Sequence, residues 1–180
     1  MKPILQVILL ISISFFLYGC PYDSSYNMDI TPQQNIDESL LGNWTTYTRK
    51  YDDEQQMREE PVKIIFEKRT EMEYNISITG YIDELKPYRV IVNDSIKGTA
   101  YLSFAAGRQF LNAFIHGKVY IAEIKKESSQ LSILPLSEYF TSKLIKNSTE
   151  LRTAVEFHYK VAARPAYDHS FCLKKLQKVN

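Results

Sequence analysis

Apolar residues change their spacing along this chain, and each change marks a different kind of segment. From residue 4 to residue 17 they run almost unbroken, interrupted by Gln6, Ser12 and Ser14. The run follows the single charge of Lys2 and is too short to span a bilayer comfortably, which predicts a secretion signal over residues 1–19. Residues 20–34 are polar and without period, with Ser24, Ser25, Asn27, Gln33 and Gln34, and read as a flexible tether. A short helical turn at residues 37–41, closed by Gly42, then leads into a strand that starts at Trp44 and runs to about Arg49.

The middle of the chain alternates. Val62, Ile64 and Phe66 share one face; Met72, Tyr74, Ile76 and Ile78 share another; Tyr88, Val90 and Val92 share a third. Tyr101 and Ser103 oppose Leu102 and Phe104, and Leu111, Ala113 and Ile115 oppose Phe110, Asn112 and Phe114. Residues 119–124 and 131–134 add two more runs. Gly80, Asn93-Asp94, Ala106-Gly107 and His116-Gly117 supply the breaks, and the charged residues 52–60 read as a loop. After Pro135 the period becomes helical. Ser137 is an N-cap for Tyr139, Phe140, Leu144 and Ile145. Asn147 and Glu150 have capping-box spacing before Leu151, Ala154, Val155 and His158. A last strand carries Phe171, Leu173 and Leu176. The expected fold is mainly β. It is an antiparallel barrel or curled sheet of about eight or nine strands with two late helices, in one domain over residues 35–180.

Composition sharpens this picture only in places. Thirteen tyrosines and nine phenylalanines against six glycines favour strands. A net charge of +1 implies no nucleic-acid partner. Acidic residues gather between 23 and 60 and basic ones after 118, which reads as a solvated surface; the alternative is a weak basic patch for lipid headgroups.

Three stretches resemble known patterns. Leu17-Tyr18-Gly19-Cys20 resembles the lipobox of bacterial lipoproteins, in which the signal is cut before the cysteine and the new N-terminus is acylated. That resemblance implies lipid attachment at Cys20 and a membrane partner through the anchor. Pro21, where an aspartate would signal inner-membrane retention, directs the expectation to the outer membrane, facing the periplasm. Leu40-Leu41-Gly42-Asn43-Trp44 resembles the G-x-W opening of lipocalin-like domains, where the Trp packs across the barrel bottom after a short helical turn. Residues 100–103, 109–113, 118–134 and 148–152 resemble a family of small uncharacterised bacterial proteins, often lipoproteins. Here Asn112 stands where that family has an acidic residue. This last resemblance implies a β-rich domain with a late helical insert and no activity.

Candidate chemistry is thin. His116, His158 and His169 lack a second ligand at zinc spacing, so no metal is expected. Asp168 and His169 would point to opposite faces of a strand, so they make no catalytic pair, and no serine sits in a nucleophile elbow. No catalytic residue and no cofactor is expected. Cys172, between Phe171 and Leu173, reads as a small strand residue rather than a reactive thiol. Tyr74, Tyr88, Tyr101 and Tyr120 are candidates for a half-polar cavity lining. The expectation is a non-catalytic envelope lipoprotein that binds a small apolar ligand or lipid. The alternative is a structural or protein-interaction module whose barrel is filled.

Overall fold

The computed structural model describes residues 22–51, 57–80, 95–162, 165–169 and 171–179. The expected signal over residues 1–19, Cys20, and the expected run of Tyr88, Val90 and Val92 lie outside the described residues. The described residues form nine strands: β1 (Asp23–Ser24), β2 (Gly42–Tyr51), β3 (Met57–Lys68), β4 (Tyr74–Gly80), β5 (Ile96–Ala105), β6 (Arg108–Ile115), β7 (Lys118–Glu127), β8 (Gln130–Pro135) and β9 (Leu173–Val179). All pairings are antiparallel, and β2 to β9 close into an eight-stranded barrel through β7–β8, β8–β9 and β9–β2. Closure removes the edges that short strands would otherwise expose.

The alternating pattern explains which face turns inward. Val62, Ile64 and Phe66 on β3, Tyr74 and Ile76 on β4, Ala100 and Leu102 on β5, Leu111 and Ala113 on β6, and Ala122 and Ile124 on β7 are all nearly inaccessible and form one core. The hairpins follow turn chemistry. Ala106-Gly107 and His116-Gly117 both have φ positive at both central residues, the type I′ geometry that matches strand twist. In β9, Leu173 and Leu176 are three residues apart and would point to opposite faces of a regular strand. Lys175 at φ +54°, with a shift of register against β8, lets both point inward.

Three expectations need correction. Residues 57–60 are not loop: they continue β3 and pair with residues 48–51 of β2. Of the two expected late helices one is present, α1 (Ser148–Val161), capped by Asn147, whose side chain accepts from the Glu150 N–H at 2.8 Å. The other is only a 3₁₀ turn over Glu138–Phe140. Its apolar residues do not form one stripe, because Phe140 and Ile145 pack inward while Leu144 is 80% exposed. The chain is already extended at Thr141, with φ −148° and ψ 142°.

The third correction concerns the tether. From Tyr22 onward it is docked. β1 pairs with Tyr120 and Val119 of β7, on the stretch of edge that β8 leaves when it ends opposite Ala122. Tyr22 N–H donates to the Leu136 carbonyl at 2.8 Å, and Met28 is 1% exposed. The segment looked polar because much of what it buries is polar, and it is held by hydrogen bonds to the sheet. Residues 22–29 therefore pack on the sheet, while Ile30 beyond them is 82% exposed.

Candidate functional site

Two cores share the sheet. The first fills the barrel: Leu40, Trp44, Tyr74, Leu131 and Leu176, with the strand residues above, leave its interior occupied by side chains. The second lies outside it. Leu151, Ala154 and Val155 of α1 pack with Met28, Leu136 and Phe140 on the outer residues Ala105, Phe110, Val119 and Ile121 of β5 to β7. Among the buried polar side chains of the described residues, Ser103, Asn112 and Glu123 face this outer side, bonded to Asp29, Met28 and Tyr159. The chemistry-bearing region is thus the covered flank, not the barrel interior.

One cluster there centres on Asp29. Its Oδ2 accepts from Ser103 Oγ at 2.5 Å, and its Oδ1 accepts from Arg152 Nη2 at 2.6 Å. Asn112 Nδ2 donates to Ser103 Oγ at 2.7 Å, and Asn112 Oδ1 accepts from the Met28 N–H at 2.9 Å. Tyr101 donates to the Asp29 carbonyl at 2.5 Å. Burial, then the Asp29 charge, raises the Tyr101 phenol above its ordinary pKa. Arg152 also donates to the Phe104 carbonyl at 3.0 Å. The stretches 109–113 and 148–152 therefore meet in space through Asp29. With an amide at position 112, the residue can donate to Ser103 and accept from the Met28 backbone at once, which a carboxylate could not do.

A second cluster centres on Glu123, 2% exposed. Oε1 accepts from Arg108 Nη1 at 2.6 Å, and Oε2 accepts from Tyr159 at 2.8 Å and from the Tyr167 hydroxyl. Arg108 also lies over the Tyr159 ring, 4.9 Å from its centre. Burial foremost, then the neighbouring phenol and carboxylate, raise the Tyr159 pKa; burial and the Glu123 hydrogen bond do the same for Tyr167. Both phenols therefore stay protonated donors. Each carboxylate oxygen in the two clusters accepts a hydrogen bond, so the arrangement clamps α1 and the N-terminal segment to the sheet.

The sequence-predicted candidates scatter. His116 occupies the β6–β7 turn and is exposed, and His169 is exposed while its neighbour Asp168 is buried. His158 accepts from the Ala166 N–H at 2.9 Å through Nε2, and burial lowers its pKa. Among the described residues, no group of His, Cys, Asp and Glu is placed to hold a metal ion. Of the four tyrosines, Tyr74 and Tyr120 belong to the barrel core, Tyr101 lies on the outer flank, and Tyr88 is outside the described residues. Two open hollows among the described residues lie outside the barrel. One, of about 450 Å³, runs between Met28, Ile30 and Gln33 and the α1 residues Ser148, Thr149 and Arg152. The other, of about 400 Å³, crosses Ile65, Asn75, Ser77 and Lys97 on the β3–β5 exterior. Asp29, Ser103 and Glu123 escaped the sequence reading because nothing local distinguishes them from surface polar residues. Asp29 lies in a stretch without period, and Ser103 and Glu123 alternate as outward residues of β5 and β7.

No family model, curated protein or solved structure matches this chain. Among the described residues no helix is long and apolar enough to cross a membrane.

Cys172 gives a direct test of burial. Its thiol donates to the Asp168 carbonyl at 3.1 Å, and burial pushes its pKa up to about 11. At pH 8 the native protein should react with iodoacetamide about 100-fold more slowly than the unfolded chain, because the thiolate is the reacting form. Equal rates would place the thiol at the surface.

Proposed function

We propose that this chain is a non-catalytic lipoprotein of the cell envelope, anchored through Cys20, whose filled barrel serves as a structural or protein-interaction module. The observation that carries the choice is the packing inside the barrel. Val62, Phe66, Tyr74, Leu131 and Leu176, from four strands, are each at most 1% exposed, so the volume that could hold an apolar ligand is taken by side chains. The second support is the outer flank, where the two carboxylates are saturated by donors and act as fastenings. The anchor reading rests on Lys2, the apolar run and Gly19 before Cys20, and the outer-membrane placement on Pro21.

Native mass spectrometry of the full protein released from detergent tests the barrel. The expected mass is that of the acylated chain alone. A retained hydrophobic molecule that survives gentle activation favours the rival reading, a carrier of a small apolar ligand or lipid. The anchor is tested separately. Cys20→Ala should abolish incorporation of labelled palmitate, since stable anchoring of this kind takes more than one acyl chain. A labelled Cys20→Ala protein would refute it.

A further inference from the structure

We propose that the barrel lies against the bilayer on one defined flank, with the rim carrying Tyr139, Lys143, Leu144 and Lys146 in contact with anionic headgroups. The proposal deepens the reading above and rests on the Cys20 anchor. Only Pro21 separates Cys20 from Tyr22. Two residue steps span at most about 7 Å, so acyl chains on Cys20 enter the membrane within that distance of Tyr22.

Tyr22 is fixed on the barrel. Its N–H donates to the Leu136 carbonyl at 2.8 Å, and its ring meets Phe140 edge-on with centres 4.6 Å apart. The next two residues form β1 on β7. A domain on a long tether can tumble above the membrane, but one joined through a docked strand cannot. The flank around residues 136–140 is held at the surface whatever the rest of the domain does.

The exposed chemistry of that flank suits the location. Tyr22, Phe140 and Ile145 all pack on the outer core. Tyr139 and Leu144, each directly preceding one of those core residues, are 61% and 80% exposed. Lys143 and Lys146 are exposed beside them, with two acids near, Glu138 and Glu150, whose Oε2 accepts from the Lys146 N–H at 2.9 Å. An aromatic ring, an aliphatic side chain and lysines beside a lipid anchor form the interfacial combination: the ring and Leu enter the headgroup layer while the lysines meet anionic lipid. Lys118 near the exit is already neutralised by Asp23.

The test uses the full-length acylated protein in vesicles of phosphatidylethanolamine and phosphatidylglycerol with brominated acyl chains. Tyr139→Trp, Leu144→Trp and Met72→Trp each add one indole to Trp44, the sole native tryptophan, which is buried and gives a common background. Met72 precedes β4, just beyond β3, and β3 lies diametrically across the barrel from β7. Bromolipid should quench the added fluorescence of Tyr139→Trp and Leu144→Trp at least twofold more than that of Met72→Trp. Equal quenching in all three, or stronger quenching of Met72→Trp, overturns the orientation. Intact mass of the same samples is read first. A mass without acyl chains refutes the anchor, and with it the basis of the proposal, so the two failures are distinguishable.

Discussion

Trp44→Ala is expected to destabilise the fold by about 3–5 kcal/mol, the range for removing a fully packed aromatic side chain. Trp44 is 3% exposed and sits between Ile64 of β3 and Lys178 of β9, so it touches both neighbours of β2 at the end where the barrel closes. Its Nε1–H donates to the Leu40 carbonyl at 2.7 Å, pinning the 3₁₀ turn Glu38–Leu40 across that end. Lys178 Nζ lies 5.5 Å from the ring centre. Tyr74 holds the same turn from the other side, accepting from the Asp37 N–H at 2.6 Å, while its ring meets Phe66 edge-on at 5.6 Å. Burial pushes the Tyr74 pKa up to about 12, so it remains a neutral phenol there. Truncating Trp44 therefore opens a cavity and frees the cap over it. Trp44→Phe keeps most of the packing but leaves the Leu40 carbonyl without its donor, at about 1–3 kcal/mol. Circular dichroism in urea is the measurement, since the variants lose the only tryptophan. An unchanged midpoint for Trp44→Ala would show the closed end to be dispensable.

The barrel was legible because one face of each strand is buried and the other is not, so period two survives in the sequence. The turns were legible where φ must be positive, as at His116-Gly117. The docked segment was not. Residues 22–30 make only a two-residue strand, and their hold depends on partners far along the chain, such as Asn112 for Met28 and Arg152 for Asp29. The absence of a local period says nothing about such contacts. The first late helix failed for a related reason: five-residue spacing between Phe140 and Ile145 served the outer core better with extended backbone than with a helix. The candidate site was hidden for the same cause. Glu123 alternates correctly as an outward residue of β7, and only the arrival of α1 and Tyr167 turns that outside into an inside.

Glu123→Ala should cost about 3 kcal/mol, although a single surface-strand carboxylate would ordinarily cost almost nothing. Arg108 is 41% exposed in its side chain and can turn to water, so its lost ion pair is the smaller part. The larger part comes from Tyr159 and Tyr167, which lose a common acceptor while their rings stay packed. Tyr159 also meets Phe110 edge-on at 5.2 Å and cannot swing out without undoing the outer core. Glu123→Gln keeps the shape and one acceptor and should cost less than Glu123→Ala. The same phenols set a pH limit. Their folded pKa values lie above the unfolded value, so the folded state holds their protons more tightly. Their contribution is complete below pH of about 10, the ordinary tyrosine value, and is lost as pH rises further. Urea midpoints should be level through neutral pH and fall in the alkaline range. The fall should be shallower in a Tyr159→Phe, Tyr167→Phe double variant, which has no phenol there to ionise. A wild-type midpoint that stays level into the strongly alkaline range, or a Glu123→Ala midpoint equal to wild type, would mean that α1 is held by its apolar stripe alone.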